Sequence, residues 1–130
     1  MEVQLVSPEQ VLYTGEAAMV VARTTSGGDI AFQENHAPFL GALANHPVEL
    51  ILEDGTRVKF AVHGGFVEVG NNRVIILSDV AELADQIDID RARAALADAE
   101  EKLRRNPDDD HALAQKERAI TRLDVSGIAV

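Results

Sequence analysis

Short apolar segments follow one another along the first two-thirds of the chain. Apolar side chains alternate with polar ones at Val3 and Leu5, and again at Val58, Phe60 and Val62. This alternation is typical of a β-strand that buries one face. The first part of the chain is therefore predicted to be built from strands.

Turn residues separate these segments about every ten residues. Gly27-Gly28, Asp54-Gly55 and Gly70-Asn71-Asn72 are the clearest examples, and Asp-Gly favours a tight hairpin. Many short strands at this spacing favour a sandwich or a barrel. Gly64-Gly65 interrupts an apolar run, which indicates a bulge or a close approach of two backbones.

The pattern becomes helical from residue 87 onward. A first apolar stripe recurs at helical spacing through Ala92, Leu96, Ala99 and Leu103. Asn106-Pro107 ends this helix. A second helix follows, with a thin stripe formed by Leu113, Ala119, Ile120 and Leu123. A short connection between two helices predicts an antiparallel hairpin, so residues 1–84 and 85–130 are expected to form two domains.

Alanine dominates the contact stripes of this hairpin. Alanine buries little area, so at roughly 25 cal/mol per Å² the two helices hold each other weakly. It also has the highest intrinsic helix propensity, so each helix is expected to persist alone. An element of this kind can detach and dock elsewhere, and straightened end to end it would reach about 50 Å.

Composition narrows the function. The 130 residues include no cysteine, 46% are hydrophobic and the net charge is -10. Twelve acidic and four basic residues lie in residues 1–87, against ten and eight in residues 88–130. Such an acidic first part makes a nucleic-acid partner improbable. No apolar run is long enough for a membrane span and no signal peptide is apparent, so a cytosolic protein or one at the periphery of a complex is expected.

Residues for catalysis are not arranged in any familiar constellation. The histidines show no zinc-protease spacing, and no serine lies in a nucleophile-elbow motif. The four histidines are His36, His46, His63 and His111. No phosphate-binding loop of the P-loop type is present. We therefore expect no metal site and no catalytic activity from this chain alone.

Several short motifs, in order, resemble one family. They are Leu5-Val6-Ser7-Pro8-Glu9, Leu12-Tyr13 with Gly15-Glu16-Ala17, Gly28-Asp29, His36-Ala37-Pro38, Gly64 to Val69, and the run from Asn72 to Glu82. Together they resemble the epsilon subunit of the bacterial F-type ATP synthase. The loop Phe32-Gln33-Glu34-Asn35 departs from the leucine-proline-glycine type sequence usual there.

The resemblance implies an all-β sandwich of about ten strands followed by the two-helix hairpin. It implies a non-catalytic rotor subunit at the cytoplasmic face of the bacterial cell membrane, seated on the gamma subunit and the c-ring. Glu34, Asn35 and His36 would face these partners. The hairpin would extend along gamma toward the alpha and beta subunits to oppose ATP hydrolysis.

One motif at the start of the first helix resembles that of ATP-binding epsilon subunits. Ile87, Asp88, Arg91 and Ala92 match it, and Glu82 lies at the matching distance before it. Carboxylates could accept hydrogen bonds from adenine or ribose. Arg91 could contact phosphates together with two arginines of the second helix, Arg118 and Arg122. ATP would then be a regulatory ligand that holds the hairpin folded, and no cofactor would be required.

Other interpretations of these residues stay open. Asp88 could simply cap the helix, Ile87 could pack the hairpin onto the sandwich, and Arg91 could be a surface charge. Arg118 and Arg122 lie one turn apart and could instead meet acidic residues of a beta subunit. A free-standing ATP-binding sensor is the alternative function.

Overall fold

The computed structural model describes residues 1–128, which form ten strands and then two helices. The strands are β1 (Glu2–Val6), β2 (Val11–Glu16), β3 (Met19–Arg23), β4 (Asp29–Gln33), β5 (Phe39–Ala42), β6 (Asn45–Ile51), β7 (Arg57–His63), β8 (Phe66–Gly70), β9 (Arg73–Leu77) and β10 (Ala81–Leu83). A 3-10 turn, Ala84–Gln86, leads to α1 (Ile89–Arg105) and α2 (Asp110–Val125).

Two five-stranded sheets pack face to face as a sandwich. The first sheet has the order β2-β1-β9-β8-β5 and the second the order β10-β7-β6-β3-β4. All strand pairs are antiparallel except β1 with β9, which run parallel with Glu2 opposite Arg73. The predicted all-β sandwich of about ten strands with a C-terminal helical hairpin is confirmed.

The sandwich core comes from the alternating strands. Val3 and Leu5 on β1 face Val20 and Phe32 from the other sheet within one continuous apolar cluster. Each of these side chains is almost fully buried. Alternation of buried and exposed positions places the remaining side chains of these strands outward, as the sequence pattern predicts.

Strand β7 departs from simple alternation because both of its faces are covered. Phe60, Ala61 and Val62 are all buried in succession. Phe60 and Val62 belong to the sandwich core, whereas Ala61 forms a second cluster with Ile87 and Val125. The hairpin therefore packs against the outer face of the second sheet, over β6 and β7.

Both helices begin at an aspartate that caps them. The side chain of Asp88 accepts from the Arg91 amide at 3.0 Å, and Asp109 does the same for Ala112. Such caps satisfy amides that have no partner inside the helix. Between residues 1 and 128, no helix combines the length and apolar character that a membrane span requires.

Small side chains form much of the contact between the helices, as predicted. Ala92 and Ala99 of α1 and Ala112 and Ala119 of α2 are buried. The placement of Leu113 in the apolar stripe was wrong, because its side chain is 47% exposed. The stripe of α2 runs instead through Ala112, one position earlier, since the helix turns its buried face toward α1 and the sheet.

Candidate functional site

A cleft of about 440 Å³ opens where the hairpin meets the edge of the sandwich. Its walls come from β10, the 3-10 turn and both helices. It is lined by Glu82, Gln86, Asp88, Arg91, Ala92, Ala95, Gln115, Arg118 and Arg122. Three arginines against two carboxylates leave one positive charge in excess, although the whole chain carries a net charge of -10. The cleft is thus suited to an anionic ligand.

Glu82 lies at the centre of the polar contacts in this cleft. Its Oε1 accepts from Nε of Arg122 at 2.8 Å and from Nε2 of His63 at 3.0 Å. Burial alone would raise the pKa of Glu82, but the hydrogen bonds and charges of Arg122 and His63 outweigh it and hold that pKa below its usual value. Glu82 is therefore ionised at neutral pH and joins three elements, β7, β10 and α2.

His63 lies behind Glu82 and was not assigned a role from the sequence. Burial lowers the pKa of His63, and this effect exceeds the opposing hydrogen bond to Glu82. The imidazole is therefore neutral at pH 7, with Nε2 donating to the carboxylate. No pattern in the sequence indicated this contact, because His63 and Glu82 meet only through the pairing of β7 with β10.

The start of α1 supplies the next wall of the cleft. Asp88 caps the helix, and its neighbour Ile87 is buried against Ala61 and Val125 rather than lining the cleft. Within residues 1–128, Arg91 and Arg118 form no ion pair with a carboxylate. Their guanidinium groups are therefore available to a ligand.

Six of the seven residues predicted to bind ATP line this one cleft. They are Glu82, Asp88, Arg91, Ala92, Arg118 and Arg122. Ile87 is the exception, because it is buried in the apolar cluster with Ala61 and Val125. The structure thus brings the predicted set together, and the ligand itself remains a prediction.

Sequence reasoning missed three residues of the cleft: Gln86, Ala95 and Gln115. Gln115 Nε2 donates to the Ala95 carbonyl at 3.2 Å and to Asp98 Oδ2 at 3.1 Å, which ties α2 to α1. Gln86 accepts from the Leu83 amide at 2.9 Å in the 3-10 turn. Gln115 lies seven residues before Arg122, on the same face of the helix, and this spacing was the one available signal.

A second predicted region follows β4. Asn35 has a φ of 60°, and its backbone N–H donates to Oδ1 of Asn72 at 2.9 Å. The ring of His36 packs edge-on against Phe32, with centroids 5.0 Å apart. Glu34 and Asn35 are exposed. The loop is thus held to the β8–β9 turn while its outward side stays open to a partner.

Family models match nearly the whole chain. The model described as the ATP synthase delta/epsilon chain β-sandwich domain matches residues 1–84. The model described as the long α-helix domain of the same chain matches residues 85–127. The chain belongs to the ATP synthase delta/epsilon chain family.

Curated relatives agree with this assignment. The ATP synthase epsilon chain of Streptomyces griseus is 45% identical over 96 residues, which cover 74% of this chain and 77% of the relative. That of Shouchella clausii is 39% identical over 126 residues, covering 96% and 93%. The predicted membership of the epsilon type is confirmed, and with it the expectation of an accessory rather than a catalytic subunit.

Solved structures share the fold of this epsilon-type chain. A chain in a structure of the Euglena gracilis mitochondrial ATP synthase, described as OSCP/F1/c-ring, aligns with a TM-score of 0.71 and 23% identity. The alignment covers 96% of this chain and 76% of that one. A chain of the Tetrahymena thermophila mitochondrial enzyme, described as central stalk/c-ring, aligns with a TM-score of 0.58 and 16% identity. At such identities the likeness concerns the fold.

Proposed function

We propose that this chain is a central-stalk subunit that links gamma to the c-ring, and that its hairpin is an ATP-responsive regulator of ATP hydrolysis. The enzyme would hold it at the cytoplasmic face of the cell membrane. Membership of the family supports the proposed place in the central stalk. The cleft between the sandwich and the hairpin is the observation that supports the proposed response to ATP.

The charges in the cleft favour a nucleotide polyphosphate. Arg91 and Arg118 present guanidinium groups that no carboxylate neutralises among residues 1–128. Guanidinium groups bind phosphate oxygens through charge-assisted, often bidentate hydrogen bonds. Asp88 and Gln86 offer oxygens for the amino and hydroxyl groups of a nucleoside. A volume of about 440 Å³ lies within the usual range for a small-molecule site.

The position of the cleft explains how ATP would regulate the hairpin. Its lining comes from β10, α1 and α2, so a ligand there contacts all three at once. When the hairpin leaves the sandwich, these contacts are lost. ATP therefore binds the folded form more tightly than the extended one and shifts the balance by that difference in affinity. Without ATP the hairpin is freed, and Arg118 and Arg122 become available to acidic residues of a beta subunit.

The loop Glu34–Asn35–His36 is proposed as the contact with the c-ring and gamma. Its exposed side chains and its bond to Asn72 provide a surface of fixed shape. A fixed loop loses little conformational entropy on binding. This part of the proposal concerns the sandwich and is independent of ATP.

Isothermal titration of the full chain with MgATP tests the cleft. Replacement of Arg91 by alanine removes a charge-assisted hydrogen bond worth about 1.5–3 kcal/mol, so the affinity should fall about tenfold to a hundredfold. Arg93→Ala is the matched control, because Arg93 lies on α1 but does not line the cleft. Equal heats for both variants and the unmodified chain would exclude a role for Arg91.

Removal of the hairpin tests regulation. The complex is assembled with the full chain or with residues 1–87, and ATP hydrolysis is measured at low and high ATP. We expect the full chain to inhibit more strongly at low ATP and the truncated chain to inhibit at neither. Equal inhibition by both chains would refute the regulatory part. Binding of ATP without binding to gamma would favour the free-standing sensor instead.

A further inference from the structure

His63 occupies a position that the proposed ATP site does not use. On β7, alternation places Lys59, Ala61 and His63 on the outer face of the second sheet. Each of these meets the hairpin: Lys59 pairs with Asp124 at 3.3 Å, Ala61 packs on Val125, and His63 reaches α2 through Glu82. The docked hairpin therefore covers the side of β7 from which His63 projects.

The buried imidazole of His63 is stable with one ring proton, and a second ring proton would be costly. Its side chain is 4% exposed, and Nε2 donates to Glu82. Among residues 1–128, Nδ1 is buried and has no hydrogen-bond partner. A second proton would go on Nδ1, where it would meet neither water nor an acceptor. A buried donor without a partner is costly, and a buried charge costs more.

We propose that His63 is a proton-sensitive positioning residue that makes docking of the hairpin depend on pH. In its neutral form it holds Glu82, and Glu82 holds Arg122 of α2. Protonation of the ring favours the undocked hairpin, in which the imidazole reaches water. The device needs neither ATP nor partner chains, so it goes beyond the proposed function and can be tested without either.

Charged groups on every side of the ring fit this assignment. Glu82 on β10 favours the protonated ring, whereas Arg118 and Arg122 on α2 disfavour it. Asp79, in the loop before β10, shares a surface groove with His63. On β6 the paired residue is the uncharged Asn45. Burial is the largest of these influences on the pKa of the ring and lowers it, so the net effect disfavours the protonated form.

When the hairpin undocks, Arg118 and Arg122 leave with α2 and water reaches the imidazole. The burial and the positive charges that oppose protonation of His63 are then lost. The pKa of His63 therefore returns toward its ordinary value of 6.5 in the undocked state, from the lower value of the docked one. Docking is at full strength above pH 6.5 and weakens as the pH falls from there toward the docked value. For one proton the docking constant changes by at most about tenfold per pH unit.

Hydrogen exchange of α2 amides in the full chain tests the proposal. Rates are compared between the unmodified chain and His63→Gln at each pH from 8 to 5, so that the intrinsic pH dependence of exchange cancels. A glutamine amide can donate to Glu82 as Nε2 does, but it does not titrate. The ratio of rates should be flat above pH 7 and should rise below pH 6.5, approaching tenfold per unit.

His111→Gln is the control, because His111 is exposed at the start of α2. Its ratio should stay flat over the whole range. A flat ratio for His63→Gln, with strand amides still protected, would overturn the proposal. If that variant loses its fold, nuclear magnetic resonance titration of the His63 ring in the unmodified chain decides instead. Titration at or above pH 6.5 would overturn the proposal, and titration below it would support it.

Discussion

Arg122 of α2 donates its Nε hydrogen to Oε1 of Glu82 on β10 over 2.8 Å. Both side chains are largely buried, with 30% and 23% of their surface exposed. This ion pair connects the sandwich to the hairpin, as the apolar contact between Ile87, Val125 and Ala61 also does. Sandwich and hairpin are thus joined by one small apolar cluster and by two ion pairs, the second between Lys59 and Asp124 at 3.3 Å. Small changes at any of these contacts should alter docking.

Replacing Glu82 with glutamine should weaken docking of the hairpin. The change keeps the shape and one acceptor oxygen but removes the charge, and a hydrogen bond to a charged group is worth about 1 kcal/mol more than a neutral one. Hydrogen exchange of α2 at pH 7.5 should therefore speed up about fivefold. Glu117→Gln is the control, because Glu117 is exposed on α2 and its replacement removes the same charge. Equal acceleration in both variants would mean that the ion pair does not hold the hairpin.

The same carboxylate should produce an acid-dependent loss of stability. The pKa of Glu82 is lowered in the folded chain from its ordinary value of 4.5, because the bonds from Arg122 and His63 outweigh burial. Its contribution is therefore complete above pH 4.5 and is lost as the pH falls from there toward the folded value. Urea unfolding at a series of pH values should show the difference between the unmodified chain and Glu82→Gln shrinking below pH 4.5. A difference that stays constant down to pH 3 would contradict this.

Gly65 should tolerate substitution far less than its neighbour Gly64. Both have positive φ, 110° and 78°, so alanine at either costs about 1–2 kcal/mol. At Gly65 a Cβ would also lie 2.0 Å from the Leu77 carbonyl oxygen, whereas at Gly64 the nearest atom is 4.0 Å away. We expect Gly65→Ala to cost about 3 kcal/mol or more in unfolding free energy and Gly64→Ala about half of that. Chemical denaturation of the two variants compares them directly, and equal costs would rule out the close approach.

Asn72→Gly should loosen the loop at Asn35. Asn72 has a φ of 57°, which glycine adopts without strain, so the main local change is the loss of the acceptor Oδ1. Amide exchange at Asn35 should rise about fivefold to tenfold, as for the loss of one hydrogen bond of about 1 kcal/mol. Asn72→Asp keeps an acceptor and should restore protection. If glycine and aspartate behave alike, the Asn72 side chain does not fix the loop.

Much of the fold followed from local pattern. Alternation at Val3 and Leu5 indicated a one-sided strand, and Gly64-Gly65 indicated the close approach that the structure shows at Gly65. Leu113 was misplaced because a helix of marginal apolar content has two possible stripes, and only contact with α1 and the sheet selects one.

The candidate site was predictable in part. Four of its predicted residues came from a resemblance: Glu82, Asp88, Arg91 and Ala92. Arg118 and Arg122 came from physical reasoning, because positive charges on the second helix could help Arg91 to contact phosphates. His63 and Gln115 were missed because their partners lie far along the chain: His63 meets Glu82 across a strand pair, and Gln115 meets Asp98 across the helical hairpin. Side-chain contacts of this kind depend on register, which a single sequence does not encode locally.

The parallel pairing of β1 with β9 sets an order of assembly during synthesis. Glu2 pairs with Arg73, so the first strand waits for almost the whole sandwich to leave the ribosome before its sheet can close. Pairings between distant segments slow folding, whereas a helical hairpin forms from neighbours in sequence and forms fast. The hairpin is also made last, after β7 and β10 exist to receive it. Docking of the hairpin therefore requires a sandwich in which β7 and β10 are already paired.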